Sequence, residues 1–216
     1  MCKIQSILSG IAALVLTHAA HATTYSVIGQ IDQVDTTLGA EAVVTFTPAN
    51  PQFSGSVDID VNAPSIHGSF QFGDYQHTLT LPSVNTSLTL NIHNTALAFG
   101  DGSVTWNPDS LLLTYEGELI ASGTPLQLSD CTGPSDACAG ELDRGTGLTQ
   151  FGFELTFTDA SLSAGTFIGQ GLQDVPNGVD TIYTFSGAIS SVPLPAGVWL
   201  FMTALSGLGL MRSRQS

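Results

Sequence analysis

The chain has very few positive charges: its 216 residues include four Lys and Arg but 18 Asp and Glu, for a formal net charge of -14. All 18 acidic residues lie between Asp32 and Asp180, and Arg144 is the only Lys or Arg residue in that stretch. A protein that binds nucleic acid or an anionic lipid surface needs a basic surface to neutralise phosphates. The charge distribution therefore excludes nucleic acid as a partner of the acidic body.

The sequence also has little that favours long helices, since only 10% of its residues are charged and 23 are Gly. Residues 151–157 instead alternate between apolar residues and Gly, Glu or Thr, which predicts a half-buried antiparallel strand. Residues 100–103, which read Gly-Asp-Gly-Ser, predict a hairpin turn. Further strands are predicted at 25–31, 42–47, 57–61, 66–72, 76–81, 88–92, 111–120 and 181–189. The pattern favours an all-β domain over residues 23–190, an antiparallel β-sandwich with a jelly roll as one arrangement.

The N-terminus has the features of a secretory signal peptide. Residues 1–22 contain one early cation, Lys3, then an apolar stretch, and they end in Ala20-His21-Ala22. This order is typical of a signal sequence cleaved after an A-x-A site, here before Thr23. The Sec translocon and signal peptidase are the expected partners, and a retained apolar helix is the alternative.

The C-terminus predicts a transmembrane helix. Residues 194–211 carry no charge, and Arg212 and Arg214 follow them. Such a segment is long enough to cross a bilayer core, and positive charges favour the cytoplasmic side. We therefore expect a helix over residues 195–211, a basic tail inside the cell and the acidic body outside.

Residues 192–196, which read Val-Pro-Leu-Pro-Ala, resemble a known sorting motif when they are read together with the apolar segment and the basic stub. Residues 191–216 look like the VPLPA variant of the PEP-CTERM sorting signal, with Val192, Pro193, Leu194, Pro195, Ala196, Arg212 and Arg214 as its motif residues. The two prolines hold the chain extended before the helix, where a protease can grip it. An ordinary single-pass anchor is the alternative.

The resemblance implies recognition by exosortase, an integral-membrane cysteine protease or transpeptidase that acts near the Pro-containing motif. It also implies a single-pass inner-membrane precursor that becomes a cell-surface or extracellular protein. The setting that it implies is exopolysaccharide and biofilm formation, with extracellular polysaccharide as a further partner. The resemblance covers residues 192–216 and does not extend to the domain before them.

One Gly-rich stretch, residues 129–147, carries the remaining candidate chemistry. Cys131 and Cys138 lie there, and export to an oxidising compartment predicts a disulfide between them. A zinc site would need more ligands than this pair supplies. Four carboxylates of the same stretch could converge on Ca²⁺ as a cofactor or form a solvated acidic loop: Asp130, Asp136, Glu141 and Asp143.

Aromatic and acidic side chains on the predicted strands suggest two further alternatives. Trp106, Tyr75 and Tyr115 could form a platform on which sugars stack, or they could be core residues. Glu116 and Glu118 share one strand face, as the two carboxylates of a glycosidase would, although neighbouring outward positions often do so by chance. We therefore expect a non-enzymatic surface or matrix protein. A carbohydrate- or calcium-binding module and a secreted hydrolase are the alternatives.

Overall fold

The computed structural model describes residues 22–38, 42–49, 51–82, 86–122, 126–129, 147–173 and 181–192. These residues form an all-β domain, as the alternating pattern predicted. Its strands are β1 (Thr23–Leu38), β2 (Ala42–Phe46), β3 (Gln52–Asp60), β4 (Ser65–Phe72), β5 (Tyr75–Leu81), β6 (Thr86–Ile92), β7 (Ala96–Asn107), β8 (Leu112–Ser122), β9 (Gln127–Ser129), β10 (Gly147–Phe157), β11 (Ala164–Gln173) and β12 (Thr181–Ser191). The described residues contain no helix of the length and apolarity that a membrane crossing requires.

Eight of the strands close into an antiparallel barrel. Their order is β12-β11-β10-β8-β7-β4-β3-β1, and β1 pairs back with β12 from Tyr25 opposite Ser191 to Thr36 opposite Thr181. The predicted β-sandwich is therefore wrong. Alternation of apolar and polar residues is the same in a sandwich and in a barrel, and closure depends on a pairing between the first and last strands that no local pattern encodes.

Aromatic rings fill the barrel interior. Phe53 lies at the centre, with its ring centroid 4.9 Å from that of Phe72, 5.0 Å from Phe70 and 6.1 Å from both Phe167 and Phe185. Inward-facing glycines make room for these rings, since a Cβ at Gly29 would collide with the ring of Phe53. Large and small residues thus complement each other, and the interior is a packed core rather than a channel.

The two chain termini of the domain lie at one end of the barrel, which we call the terminal end. The turns 61–64, 108–111 and 158–163 lie there too. Leu111 and Leu162 adopt positive φ angles of 53° and pack against the core. The hydroxyl of Tyr25 donates to the carbonyl oxygen of Leu162 at 2.8 Å. Leucine is strained in this backbone conformation, and its apolar side chain offsets the strain by sealing the barrel.

A second sheet, with strand order β5-β6-β9, covers the opposite end, which we call the capped end. Leu90 and Ile92 of β6 are fully buried in the barrel core. Buried polar groups below this sheet satisfy one another: Tyr183 donates to the side chain of Gln173 at 3.1 Å, and Gln173 donates to the carbonyl oxygen of Leu126 at 3.3 Å. The barrel is thus closed at both ends.

Residues 100–103 do not form the predicted hairpin. β7 runs straight through them, and its register with β8 shifts between Phe99 and Gly102, which marks a β-bulge. The bulge accommodates Tyr115, because a Cβ at Gly102 would collide with the ring of that residue. Glycines in a strand mark bulges as well as turns, so the motif alone could not distinguish the two.

Candidate functional site

The start and the end of the barrel lie side by side. Thr23 begins β1, Ser191 ends β12, and the N–H of Val192 donates to the carbonyl oxygen of Thr24 at 2.9 Å. Val192, the first residue of the predicted sorting motif, is 48% exposed at the terminal end. The predicted signal-peptide cleavage site and the predicted sorting motif therefore adjoin the same end of the barrel.

Most of the other predicted site residues lie outside the described residues. These are Pro193, Leu194, Pro195, Ala196, Arg212 and Arg214 of the sorting motif, Cys131 and Cys138 of the predicted disulfide, and Asp130, Asp136, Glu141 and Asp143 of the calcium hypothesis. In the part of the chain that the structure describes, no group of three or more His, Cys, Asp or Glu residues could hold a metal ion.

The structure does not bring the three predicted aromatic residues together. Tyr115 is 2% exposed and lies inside the barrel. Trp106 lies near the terminal end of β7, where its ring packs edge-on against Phe157 with centroids 5.7 Å apart. Tyr75 begins β5, at the capped end. A sugar chain could not stack on all three, and these rings serve the core instead.

The hydroxyl of Tyr115 hydrogen-bonds to the backbone of its own strand, β8, beside the bulge of β7. It donates to the carbonyl oxygen of Glu118 at 2.9 Å and accepts from the N–H of Glu118 at 3.1 Å. The carbonyl oxygens of Gly100 and Asp101 lie 3.3 Å away. Burial raises the pKa of Tyr115 above its ordinary value. Tyr115, which was predicted to form part of a sugar-stacking platform, therefore has a structural role inside the barrel.

The outer wall of the barrel carries a depression that we call the β10 groove. It consists of two adjoining hollows of about 510 and 410 Å³ that share Glu116, Gly152 and Gln170. Both hollows are open to solvent rather than enclosed. The groove follows the middle of β10 and is bordered by β8 on one side and by β11 and β12 on the other.

Gly152 forms the floor of the β10 groove. It lies in register with Glu116 of β8 and with Gln170 of β11. Two long polar side chains therefore flank a glycine, which has no side chain to fill the space between them. A Cβ at Gly152 would meet nothing within 4 Å. The hollow therefore follows directly from a glycine at an outward position of the strand.

The walls of the groove combine carboxylates and amides with aliphatic side chains. Glu154, two residues after Gly152, lies between Thr114 and Ile168 in the next row. Glu116 and Glu154 are thus diagonal neighbours on adjacent strands, with Cα atoms about 7–8 Å apart. Ile168 is 60% exposed, so its aliphatic side chain is accessible to a ligand.

The groove is electrostatically negative. Eleven of the 18 acidic residues fall in the described part of the chain, and none of the four Lys and Arg residues does. Glu116 and Glu154 therefore have no Lys or Arg partner among the described residues. Such a surface repels anions and accepts neutral or cationic ligands.

The sequence did not reveal this site, for two reasons. Its pattern did not predict β11, because the glycines of this strand at 165, 169 and 171 obscure the alternation. The aromatic residues suggested a sugar site elsewhere, whereas the groove is built from Glu, Gln and aliphatic side chains. The one available signal was Gly152, a glycine on the polar side of a strongly alternating strand.

Comparison of the chain with protein-family models, with curated proteins and with solved structures finds no match.

Proposed function

We propose that this chain is an exported protein that exosortase processes into a cell-surface or extracellular-matrix protein, acting by adhesion or matrix association rather than by catalysis. Its expected partners during export are the Sec translocon, signal peptidase and exosortase. The observation that supports the proposal best is the adjacency of Thr23 and Ser191 at one end of a closed barrel.

Adjacent termini suit a protein that is processed at both ends. β1 and β12 are antiparallel neighbours, so the chain enters and leaves the domain at the terminal end. Cleavage before Thr23 and cleavage after Ser191 would remove no residue of the twelve strands that the structure describes. The folded barrel can therefore survive both steps, and a membrane-bound precursor would be held through one end only.

The acidic surface suits an extracellular matrix role. A large net charge of one sign keeps a protein soluble and lowers its affinity for anionic lipid headgroups. Residues 23–192 hold all 18 acidic residues and Arg144, a formal charge of -17, which favours release of the barrel from the membrane once its tail is removed. Two Pro residues beside Val192, at 193 and 195, would keep the cleavage segment extended at the membrane surface.

The test is the intact mass of the protein recovered from its native host, with and without exosortase. We expect an N-terminus at Thr23, and loss of the residues that follow the 192–196 region only when exosortase is present. A variant with Pro193→Ala and Pro195→Ala keeps the apolar segment and should keep the tail. A tail retained in both strains would make the chain a plain single-pass membrane protein, and the biofilm inference would fail with it.

A further inference from the structure

We propose that the β10 groove binds a single chain of a neutral, hydroxyl-rich polysaccharide. This inference deepens the proposed function, because it names the class of matrix polymer that the barrel holds. The inference rests on the proposed function only in placing the protein in the extracellular matrix, where it would meet the polymer. Binding itself depends only on the groove.

The shape of the groove favours an extended ligand. Its two hollows share Glu116, Gly152 and Gln170, so a chain lying along β10 can occupy both without a break. The hollows lie on an outer wall, where a ligand can continue beyond either end of the site. A polymer can thus be bound at any point along its length.

The polar side chains match the hydrogen-bonding capacity of sugars. A sugar hydroxyl donates one hydrogen bond and accepts others, a carboxylate accepts only, and an amide does both. Glu116 and Gln170 offer these two kinds of group on opposite sides of the glycine floor. Among the described residues, none hydrogen-bonds to the carboxylate of Glu116 or the amide of Gln170, and both residues are exposed.

The aliphatic side chains match the other surface of a sugar ring. A pyranose presents C–H groups on its faces and hydroxyl groups around its rim. Ile168, Leu172 and Ile182 supply apolar contact area beside the polar groups of the groove. Burying the exposed part of Ile168 against a sugar removes apolar surface from water, which favours binding.

Anionic polymers and strand-forming peptides fit the groove poorly. Glu116 and Glu154, with no Lys or Arg in the described part of the chain, repel nucleic acids and uronic-acid polymers. A peptide cannot add to β10 as a strand, because this strand is already paired with β8 and β11. A neutral polymer avoids the charge repulsion and needs no free strand edge.

The test uses affinity electrophoresis of the purified full chain in a detergent without sugar headgroups. Native gels contain one of three neutral polysaccharides, laminarin, dextran or galactomannan, or anionic alginate as a control. The critical variant is Gly152→Val, which fills the groove floor without meeting a neighbouring atom at its Cβ. Gly73→Val is the matched control, because a Cβ at Gly73 also meets nothing within 4 Å and this glycine lies outside the groove.

We expect at least one neutral polysaccharide to retard the unmodified chain and alginate to leave its mobility unchanged. Gly152→Val should weaken retardation at least about tenfold, equivalent to about 1.4 kcal/mol, while Gly73→Val should bind as the unmodified chain does. Gln170→Ala, at an exposed position, should weaken binding as well and guards against misfolding of the first variant. Absence of retardation in all three neutral gels, or equal retardation of Gly152→Val and the unmodified chain, would overturn the proposal. Neither result would alter the processing seen by intact mass.

Discussion

Replacing Tyr115 with Phe should destabilise the barrel without removing any of its aromatic packing. The substitution deletes one oxygen atom and keeps the ring that packs edge-on against Phe99, with centroids 5.0 Å apart. That oxygen satisfies both the N–H and the carbonyl oxygen of Glu118. Its loss leaves these backbone groups without their partner beside the bulge of β7.

The magnitude follows from the two hydrogen bonds that are lost. A hydrogen bond contributes about 0.5–1.5 kcal/mol net, and leaving a buried partner unsatisfied costs about 1–3 kcal/mol. Two net hydrogen bonds amount to about 1–3 kcal/mol, so Tyr115→Phe should lower the free energy of unfolding by about that much. For a domain of this size, each kcal/mol lowers the melting temperature by about 2–4 °C.

Thermal and urea unfolding, followed by circular dichroism, measure this loss. The matched control is Tyr25→Phe, which removes a single hydrogen bond, to the carbonyl oxygen of Leu162, and should cost about 1 kcal/mol. Tyr115→Phe should be the more destabilising variant by a clear margin. Equal stabilities of the two variants would refute the claim that the Tyr115 hydroxyl satisfies both backbone groups of Glu118.

Three further predictions concern the stability of the barrel. Phe53→Ala removes the ring that contacts four other phenylalanines. Urea unfolding should show that the free energy of unfolding falls by about 3–5 kcal/mol. A fall of less than about 1 kcal/mol would contradict the central position of Phe53. Burial raises the pKa of Tyr25, Tyr75 and Tyr115, so the folded state holds these protons more tightly than the unfolded state; melting temperatures should stay level up to about pH 10 and fall as the pH rises further. The described residues hold eleven carboxylates and no Lys or Arg, so about 0.5 M NaCl should raise the melting temperature by screening the repulsion between the carboxylates. A lower melting temperature in salt would show that attractive ion pairs outweigh this repulsion.

The strands were predictable from sequence, but their closure into a barrel was not. The alternation of Phe151, Phe153, Leu155 and Phe157 identifies a half-buried strand, and all four residues are buried. Alternation depends only on neighbours along the chain, whereas closure depends on the contact between β1 and β12, at opposite ends of the domain sequence. The glycines of β11 obscured the strand pattern for the same physical reason that they are needed. The side chains of Phe151 and Leu148 occupy the space where a Cβ at Gly169 or Gly171 would lie.

The candidate site was less predictable than the fold. Sequence analysis identified Glu116 as an outward carboxylate but paired it with Glu118, its neighbour along the strand. The structure places Glu116 beside Gly152 and diagonal to Glu154, residues of another strand that is distant in sequence. Contacts between strands, not along them, create the groove, and they could be read only after the register of β8, β10 and β11 was known.

The position of the groove on the barrel implies that binding does not depend on release from the membrane. Gln150 and Glu154 border the groove near the middle of β10, whereas both attachments of the precursor adjoin the terminal end. A membrane at that end would leave the side wall open to solvent. We therefore expect the full chain and the processed protein to be retarded equally in gels that contain the neutral polysaccharide. Weaker retardation of the full chain would mean that the tail or the detergent around it covers part of the side wall. The membrane would then not lie only at the terminal end of the barrel.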